Sequence, residues 1–201
     1  LRFGVTLWLA PGMNIHRNPL CGRNFEYYSE DPLISGICAA MMTEGVQSFG
    51  GIGTTVKHFA VNNQEDNRVG VSANVSQRAL REVYLRAFRI AVTEGKPWTV
   101  MSSYNRVNGH YVCNSFDLCT RVLRQEWGFR GLVMSDWNAT EQCSYSEAIH
   151  AGNDLIMPGT ASVSKALEKS LKAGELDRDA LNLSAGRVLE LIFKSETCQS
   201  F

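Results

Sequence analysis

Along its whole length the chain alternates short apolar runs with longer amphipathic ones. "GVTLWLA" (4–10), "GTTVKHF" (53–59), "WTVMSS" (98–103), "GLVMSD" (131–136) and "DLIMPG" (154–159) each have strand length. Several lack polar alternation, as parallel strands covered on both faces do. Helical stretches lie between them. Asp31 and Pro32 supply a cap and a first turn, after which apolar residues run to about Phe49. From Ser76 onward, Leu80, Val83, Tyr84, Ala87, Phe88 and Ala91 repeat at helical spacing and mark one buried face. Residues 116–127 and 140–151 repeat the pattern less cleanly. Strand followed by helix, five times over, predicts an α/β fold with a parallel sheet.

Two architectures satisfy that order: an open doubly wound sheet and a (β/α)8 barrel. The open sheet usually carries a glycine-rich turn after a strand, whereas "GGIGTTV" at 50–56 lacks the third glycine and precedes its strand. A barrel gathers functional residues at the C-terminal ends of several strands. Lys57-His58, Ser102 to Tyr104, and Ser135 to Trp137 all stand where an apolar run ends. Five units are fewer than the eight that close a barrel, so the expectation is a partial TIM-type barrel of about five βα units plus C-terminal helices. The segment 162–194 reads as two helices broken at Gly174, the second with Leu181, Ala185, Val188, Leu189 and Ile192 on one face. No internal boundary is evident; 1–194 reads as one domain and 195–201 as a tail or the start of a linker.

Hydrophobic residues make up 44% of the 201 and charged residues 20%, enough for a packed core. Twenty basic residues balance twenty acidic ones, which provides no field for nucleic acid or an anionic membrane and suits a neutral or small substrate. No run reaches the roughly 18 apolar residues that a membrane span needs. The opening "LRFGVTLWLAPG" is too short and strand-like for a signal peptide. A start at Leu1 implies that the natural N-terminus lies upstream, so the compartment stays open. Cys21, Cys38, Cys113, Cys119, Cys143 and Cys198 form no CxxC or zinc spacing and read as mostly buried thiols. Asn74, Asn138 and Asn182 head Asn-x-Ser/Thr triplets, which are common by chance.

Asp136 ends its run and so should project at the mouth of the barrel, where a carboxylate can attack a carbon, act as a base, bind a metal or cap the next helix. Trp137 beside it suits a sugar, whose C–H groups stack on an indole, although packing at the rim is equally open. Lys57 and His58 can both serve one site only if the strand turns between them. Arg23 in "CGRNFE" and Arg68 after "NNQEDN" are fork-shaped donors suited to vicinal hydroxyls, or simply salt-bridge residues. No metal site is expected: His16, His58, Glu65, Asp66 and Asp136 show no metal-spaced pair, and the cations nearby would repel one. A GxSxG elbow and a P-loop are also missing, and no cofactor is implied.

Taken together, "LAPGMNIHRNPLCGRNFEYYSEDP" (9–32), "TVKHFAVNNQEDNR" (55–68), "VMSSYNRVNG" (100–109), "GLVMSDW" (131–137) and "AGNDLIMPG" (151–159) resemble glycoside hydrolase family 3, most of all its β-glucosidases. The resemblance runs the length of the chain in motif order. It implies Asp136 of "SDW" as the nucleophile that forms a covalent glycosyl-enzyme. It also implies a glucose subsite of Arg23, Lys57, His58, Arg68, Met101 and Tyr104, with Trp137 as the neighbouring wall. The strands would then be the fourth to eighth of the barrel.

A retaining mechanism requires Asp136 to be ionised, and Lys57 and Arg68 are expected to lower its pKa if the fold brings them close. The resemblance implies that the acid/base is a glutamate from a following α/β domain that completes the site. Glu65 and Asp66 are the alternatives within this chain. The N-acetylglucosaminidase branch, with its "KHFPGHG" loop, is disfavoured because this chain reads "KHFAVNNQEDN". The expected substrate is therefore a β-glucoside or oligosaccharide, with β-xylosidase activity or sugar binding without turnover as alternatives. A more distant alternative is Schiff-base chemistry at Lys57. Because Asn138 lies two residues from Asp136, its triplet is expected to carry no glycan.

Overall fold

A computed structural model of the chain describes residues 4–195. The strands are β1 (Leu7–Trp8), β2 (Gly53–Phe59), β3 (Ser72–Ala73), β4 (Thr99–Ser102), β5 (Arg106–Val107), β6 (His110–Tyr111) and β7 (Leu132–Ser135). β1, β2, β4 and β7 form one parallel sheet in that order, while β3, β5 and β6 make a small separate one. Thr99 to Ser102 pair in unbroken register with Leu132 to Ser135. The β2–β4 ladder, by contrast, shifts between Val56 and Phe59.

All five expected strand regions lie side by side, but the outer two are shorter than the sequence suggests. At the first, Ala10 N–H turns back onto the Trp8 carbonyl at 2.8 Å instead of extending a ladder. At the last, only Leu155 pairs, with Met134. Pro158 has no N–H to extend that pairing, and Gly159 turns the chain with φ of 70°. Among the described residues the sheet does not close. Its β1 edge leaves Val5, Trp8 and Leu9 exposed.

Three helical segments cover one face of the sheet: α1 (Pro32–Gln47), α2 (residues 77–95) and α3 (Asp117–Glu126). Val56, Phe59, Val100 and Val133 from the strands meet Phe88 and Leu123 in the main core. Asp31 caps α1 by accepting the Leu33 N–H at 2.7 Å, and Ser76 caps α2 by accepting that of Ala79 at 3.2 Å. α1 and α2 approach closely through small residues. A Cβ on Gly36 would come within 2.8 Å of the Ile90 Cβ, and one on Gly95 within 2.8 Å of the Ala40 Cα. The large residues of α1, including Leu33, Ile34, Ile37 and Met41, face outward.

Two helix expectations need correction. The stretch 140–151 is not one helix: a single 3-10 turn (Ala139–Gln142) precedes α4 (Tyr145–Ala151), because Asn138 takes φ of 62° and Cys143 is extended between them. α5 (Ala161–Lys172) and α6 (Arg178–Lys194) flank a turn in which Gly174 has φ of 74°. α6 buries only part of the expected face: Leu181 and Val188 pack against the apolar clusters, whereas Leu189 and Ile192 are 52% and 47% exposed. It turns Ser184 inward instead, since Ser184 and Arg187 both bond the buried Asp154. Residues 196–201, with Cys198 and most of the expected 195–201 tail, lie outside the described region.

Candidate active site

The main sheet presents the C-terminal ends of β2, β4 and β7 together, and the candidate residues sit there. Asp136 follows β7, its N–H donating to the Ser102 carbonyl of β4 at 3.1 Å. The residue as a whole is only 8% exposed. One oxygen, Oδ1, accepts the Trp137 N–H at 2.7 Å. The other, Oδ2, has no hydrogen-bond partner and lies 3.6 Å from His58 Nε2. An unpaired buried carboxylate oxygen is costly to maintain unless something else is meant to meet it.

The break in the β2–β4 ladder falls at Lys57 and His58, and this lets both side chains serve one region. Lys57 Nζ bonds Glu26 Oε2 at 3.1 Å, and Arg23 Nε bonds Glu26 Oε1 at 2.6 Å, so one carboxylate holds two cations. Gly12 makes room for it, as a Cβ there would lie 2.9 Å from Glu26 Oε2. Arg68 bonds Glu65 Oε2 at 2.8 Å, and its guanidinium stacks 4.2 Å over the Tyr104 ring. Tyr104 in turn donates its hydroxyl to the Trp137 carbonyl at 2.8 Å. The Trp137 indole is half exposed, as a wall open to a ligand would be.

His58 is fully enclosed. Its backbone exchanges two hydrogen bonds with the Asn14 side chain, at 2.8 and 3.0 Å. The Tyr27 hydroxyl lies 3.2 Å from Nδ1 and receives a bond from Asn62 at 3.4 Å. Burial, reinforced by Arg23, Lys57 and Arg68, holds the His58 pKa well below the usual imidazole value, so the ring is neutral at pH 7. The arrangement that suits these neighbours has Tyr27, accepting from Asn62, donate its own proton to Nδ1, which leaves the ring proton on Nε2 toward the Asp136 carboxylate.

The expectation that nearby cations lower the Asp136 pKa is corrected. Burial is the largest influence and raises it above the ordinary carboxylate value; the Trp137 N–H, Arg23, Tyr104 and Arg68 pull the other way without overcoming it. Burial, together with Asp136, pushes Tyr104 up to about 12, so it stays a neutral donor.

Arg23, Lys57, His58, Arg68, Tyr104, Asp136 and Trp137 thus belong to one connected cluster. Met101 is placed differently: it packs with Leu132 and Met134 in a separate apolar cluster beneath the site. Reasoning from the sequence passed over Glu26, Tyr27, Asn62 and Asn14. For Glu26 the signal available was its i, i+3 spacing from Arg23. Among the described residues no group of three or more His, Cys, Asp or Glu could hold a metal ion. No described helix is long and apolar enough to cross a membrane.

The family model for the "Glycosyl hydrolase family 3 N terminal domain" matches residues 1–191. The chain belongs to glycosyl hydrolase family 3. Family relatives include thermostable beta-glucosidase B of Acetivibrio thermocellus, 45% identical over 94% of this chain and 25% of that protein. An exo-alpha-(1->6)-L-arabinopyranosidase of Bifidobacterium breve is also 45% identical, over 98% of this chain and 25% of its own length. Among solved family structures, beta-glucosidase 3B of Thermotoga neapolitana in complex with glucose superposes with a TM-score of 0.93 at 49% identity, covering 98% of this chain and 28% of that one. The chain therefore spans about a quarter of the length of its curated family relatives. The family's N-terminal domain is a TIM-barrel-like α/β fold, and the parallel sheet with its covering helices is part of such a barrel.

Proposed function

We propose that the protein containing this chain is a retaining β-glucosidase that cleaves terminal non-reducing β-D-glucosidic bonds, with Asp136 as the nucleophile. The observation that carries this reading is the asymmetry of the Asp136 carboxylate. Oδ1 is tied to the Trp137 N–H, whereas Oδ2 is left without a partner beside the His58 ring. Oδ2 is the atom that attacks the anomeric carbon, and the C1–O bond to the aglycone breaks as the leaving oxygen takes a proton. Water then opens the glycosyl ester with retention. Arg23, Lys57 and Arg68 donate to the sugar hydroxyls, His58 can add only its Nε2–H beside Asp136, and Trp137 stacks against the ring.

The proton must come from a second carboxyl about 5–5.5 Å from the first. Glu65 is committed to Arg68 and Asn62, and Glu26 to Arg23 and Lys57, while Asp66 points to solvent. This favours an acid/base supplied by a following domain of the full-length protein over Glu65 or Asp66. Lys57 is ion-paired with Glu26, which argues against Schiff-base chemistry.

The test is mass spectrometry of the full-length protein after reaction with a 2-deoxy-2-fluoro-β-glucoside. The expected product is a fluoroglucosyl ester on Asp136. An unlabelled Asp136 in a protein that still hydrolyses β-glucosides would mean that another carboxylate attacks. A second reading, a pentopyranosidase, draws on the arabinopyranosidase relative. Aryl β-glucoside, β-xyloside and α-L-arabinopyranoside compared side by side would decide between them by kcat/KM.

A further inference from the structure

The sequence shows no cysteine pairing motif, yet the fold brings two thiols together. Cys113 Sγ and Cys143 Sγ are 3.2 Å apart although separated by 30 residues, and both are free. Cys113 is fully buried in the turn after β6, with its sulfur 3.8 Å from the Ala139 carbonyl. Cys143 is partly exposed and closes the turn that begins at Asn138. That turn continues directly from Asp136 and Trp137. The thiol pair therefore spans the gap between the β6–α3 connection and the segment that follows the candidate nucleophile.

We propose that Cys113 and Cys143 are a modification site: a dithiol that small-molecule disulfides oxidise reversibly to an intramolecular disulfide. The two sulfurs have unequal roles. Cys143 is the one open to solvent, and the hydrogen bond from Cys113 lowers its pKa, whereas the same bond and burial raise that of Cys113. Cys143 thiolate attacks one sulfur of the small disulfide, the S–S bond breaks, and the departing thiolate takes up the proton that Cys143 gave away. Cys113 then loses its proton and attacks Cys143 Sγ. The second small thiolate leaves and takes that proton. The protein gives up two electrons and two protons, and the small disulfide becomes two thiols. Cys119 does not take part, since it is fully buried and its thiol donates to the Val112 carbonyl at 3.2 Å. The closed form ties the turn after Trp137 to the neighbouring connection.

The experiment treats the full-length folded protein with excess oxidised glutathione, blocks remaining thiols with N-ethylmaleimide at acid pH, and maps peptides by mass spectrometry. The expected result is a peptide cross-linked through Cys113 and Cys143, returned to two maleimide-labelled peptides by prior treatment with a dithiol. In Cys113→Ser the intermediate should be trapped as a glutathione adduct on Cys143, and in Cys143→Ser position 113 should stay unmodified. A lasting glutathione adduct on Cys143 of the unsubstituted protein, or maleimide on both residues after oxidation, would overturn the proposal. Neither readout involves glycoside hydrolysis, so the outcome is independent of the function proposed above.

Discussion

Two aspartates stand at or beside the ends of the last two strand regions, and the fold treats them in opposite ways. Asp154 is 6% exposed and saturated: Oδ2 accepts from Arg124 at 2.5 Å and the Val133 N–H at 2.9 Å, Oδ1 from Arg187 at 2.6 Å and Ser184 at 3.3 Å. Asp136 is 8% exposed, with one N–H on Oδ1 and nothing on Oδ2. Burial is thus nearly equal and satisfaction is not. A buried carboxylate whose every lone pair is taken joins β7, α3 and α6 into one body. One that keeps an oxygen free holds a buried charge without full compensation, which is the feature the proposed nucleophile role draws on.

The first way to break this contrast is to remove the free carboxylate. In the full-length protein Asp136→Ala should lower β-glucoside kcat by about 10⁴-fold, roughly 5 kcal/mol of barrier, while its urea midpoint stays equal or rises. Near-normal turnover would show that Oδ2 is idle. The mirror-image change comes next in size. Asp154→Ala strands Arg124 and Arg187, and breaking a buried pair costs about 3–5 kcal/mol. Its urea midpoint should drop sharply, and any activity that survives should keep its KM. A stability loss under about 1 kcal/mol would mean that water replaces Asp154 without loss.

How far this contrast is legible in the sequence depends on the range of the interactions. The strand order and the emergence of Lys57-His58 and Asp136 at one end follow from local apolar runs and are legible. The parallel sheet adds little beyond them. The partners of those residues are not legible in the same way. Asn14 meets His58 across 44 residues, Tyr27 across 31, and Arg187 meets Asp154 across 33. No periodicity encodes such meetings. The same limit explains α6, where helical spacing marks Leu189 and Ile192 as buried. Asp154 rotates the helix so that Ser184 and Arg187 face inward instead. The direction of the Asp136 pKa is misjudged for a related reason. Counting cations near a carboxylate leaves out its burial, which long-range packing sets and which outweighs Arg23 and Arg68.

A third prediction sharpens the contrast within the site. His58 presents Nε2–H toward Asp136 because Tyr27 donates to Nδ1. Tyr27→Phe removes that donor and frees the ring to hold its proton on either nitrogen. One hydrogen bond to a neutral group contributes about 1 kcal/mol, so kcat should fall roughly five- to tenfold with KM nearly unchanged. The ¹⁵N signals of His58 should move from the Nε2–H tautomer toward a mixture, which a loss of packing alone would not produce. An unaltered tautomer would remove Tyr27 from this role.

The smallest effect concerns pH. The folded-state pKa of Asp136 is raised, chiefly by burial, so the native protein favours the protonated form more than the unfolded chain does. The stability this group contributes is then fully present below the unfolded carboxylate value. It is lost as pH rises through the higher folded value. At neutral pH the ionised, buried side chain is a burden to folding, which Asp136→Asn relieves. That variant should melt at a higher temperature than the parent at pH 7, and the gap should shrink as the pH falls through the carboxylate range. A gap that widens toward acid would mean that Arg23, Arg68 and the Trp137 N–H together outweigh burial. Asp136 would then resemble Asp154 in energy, and only the free oxygen would set the two apart.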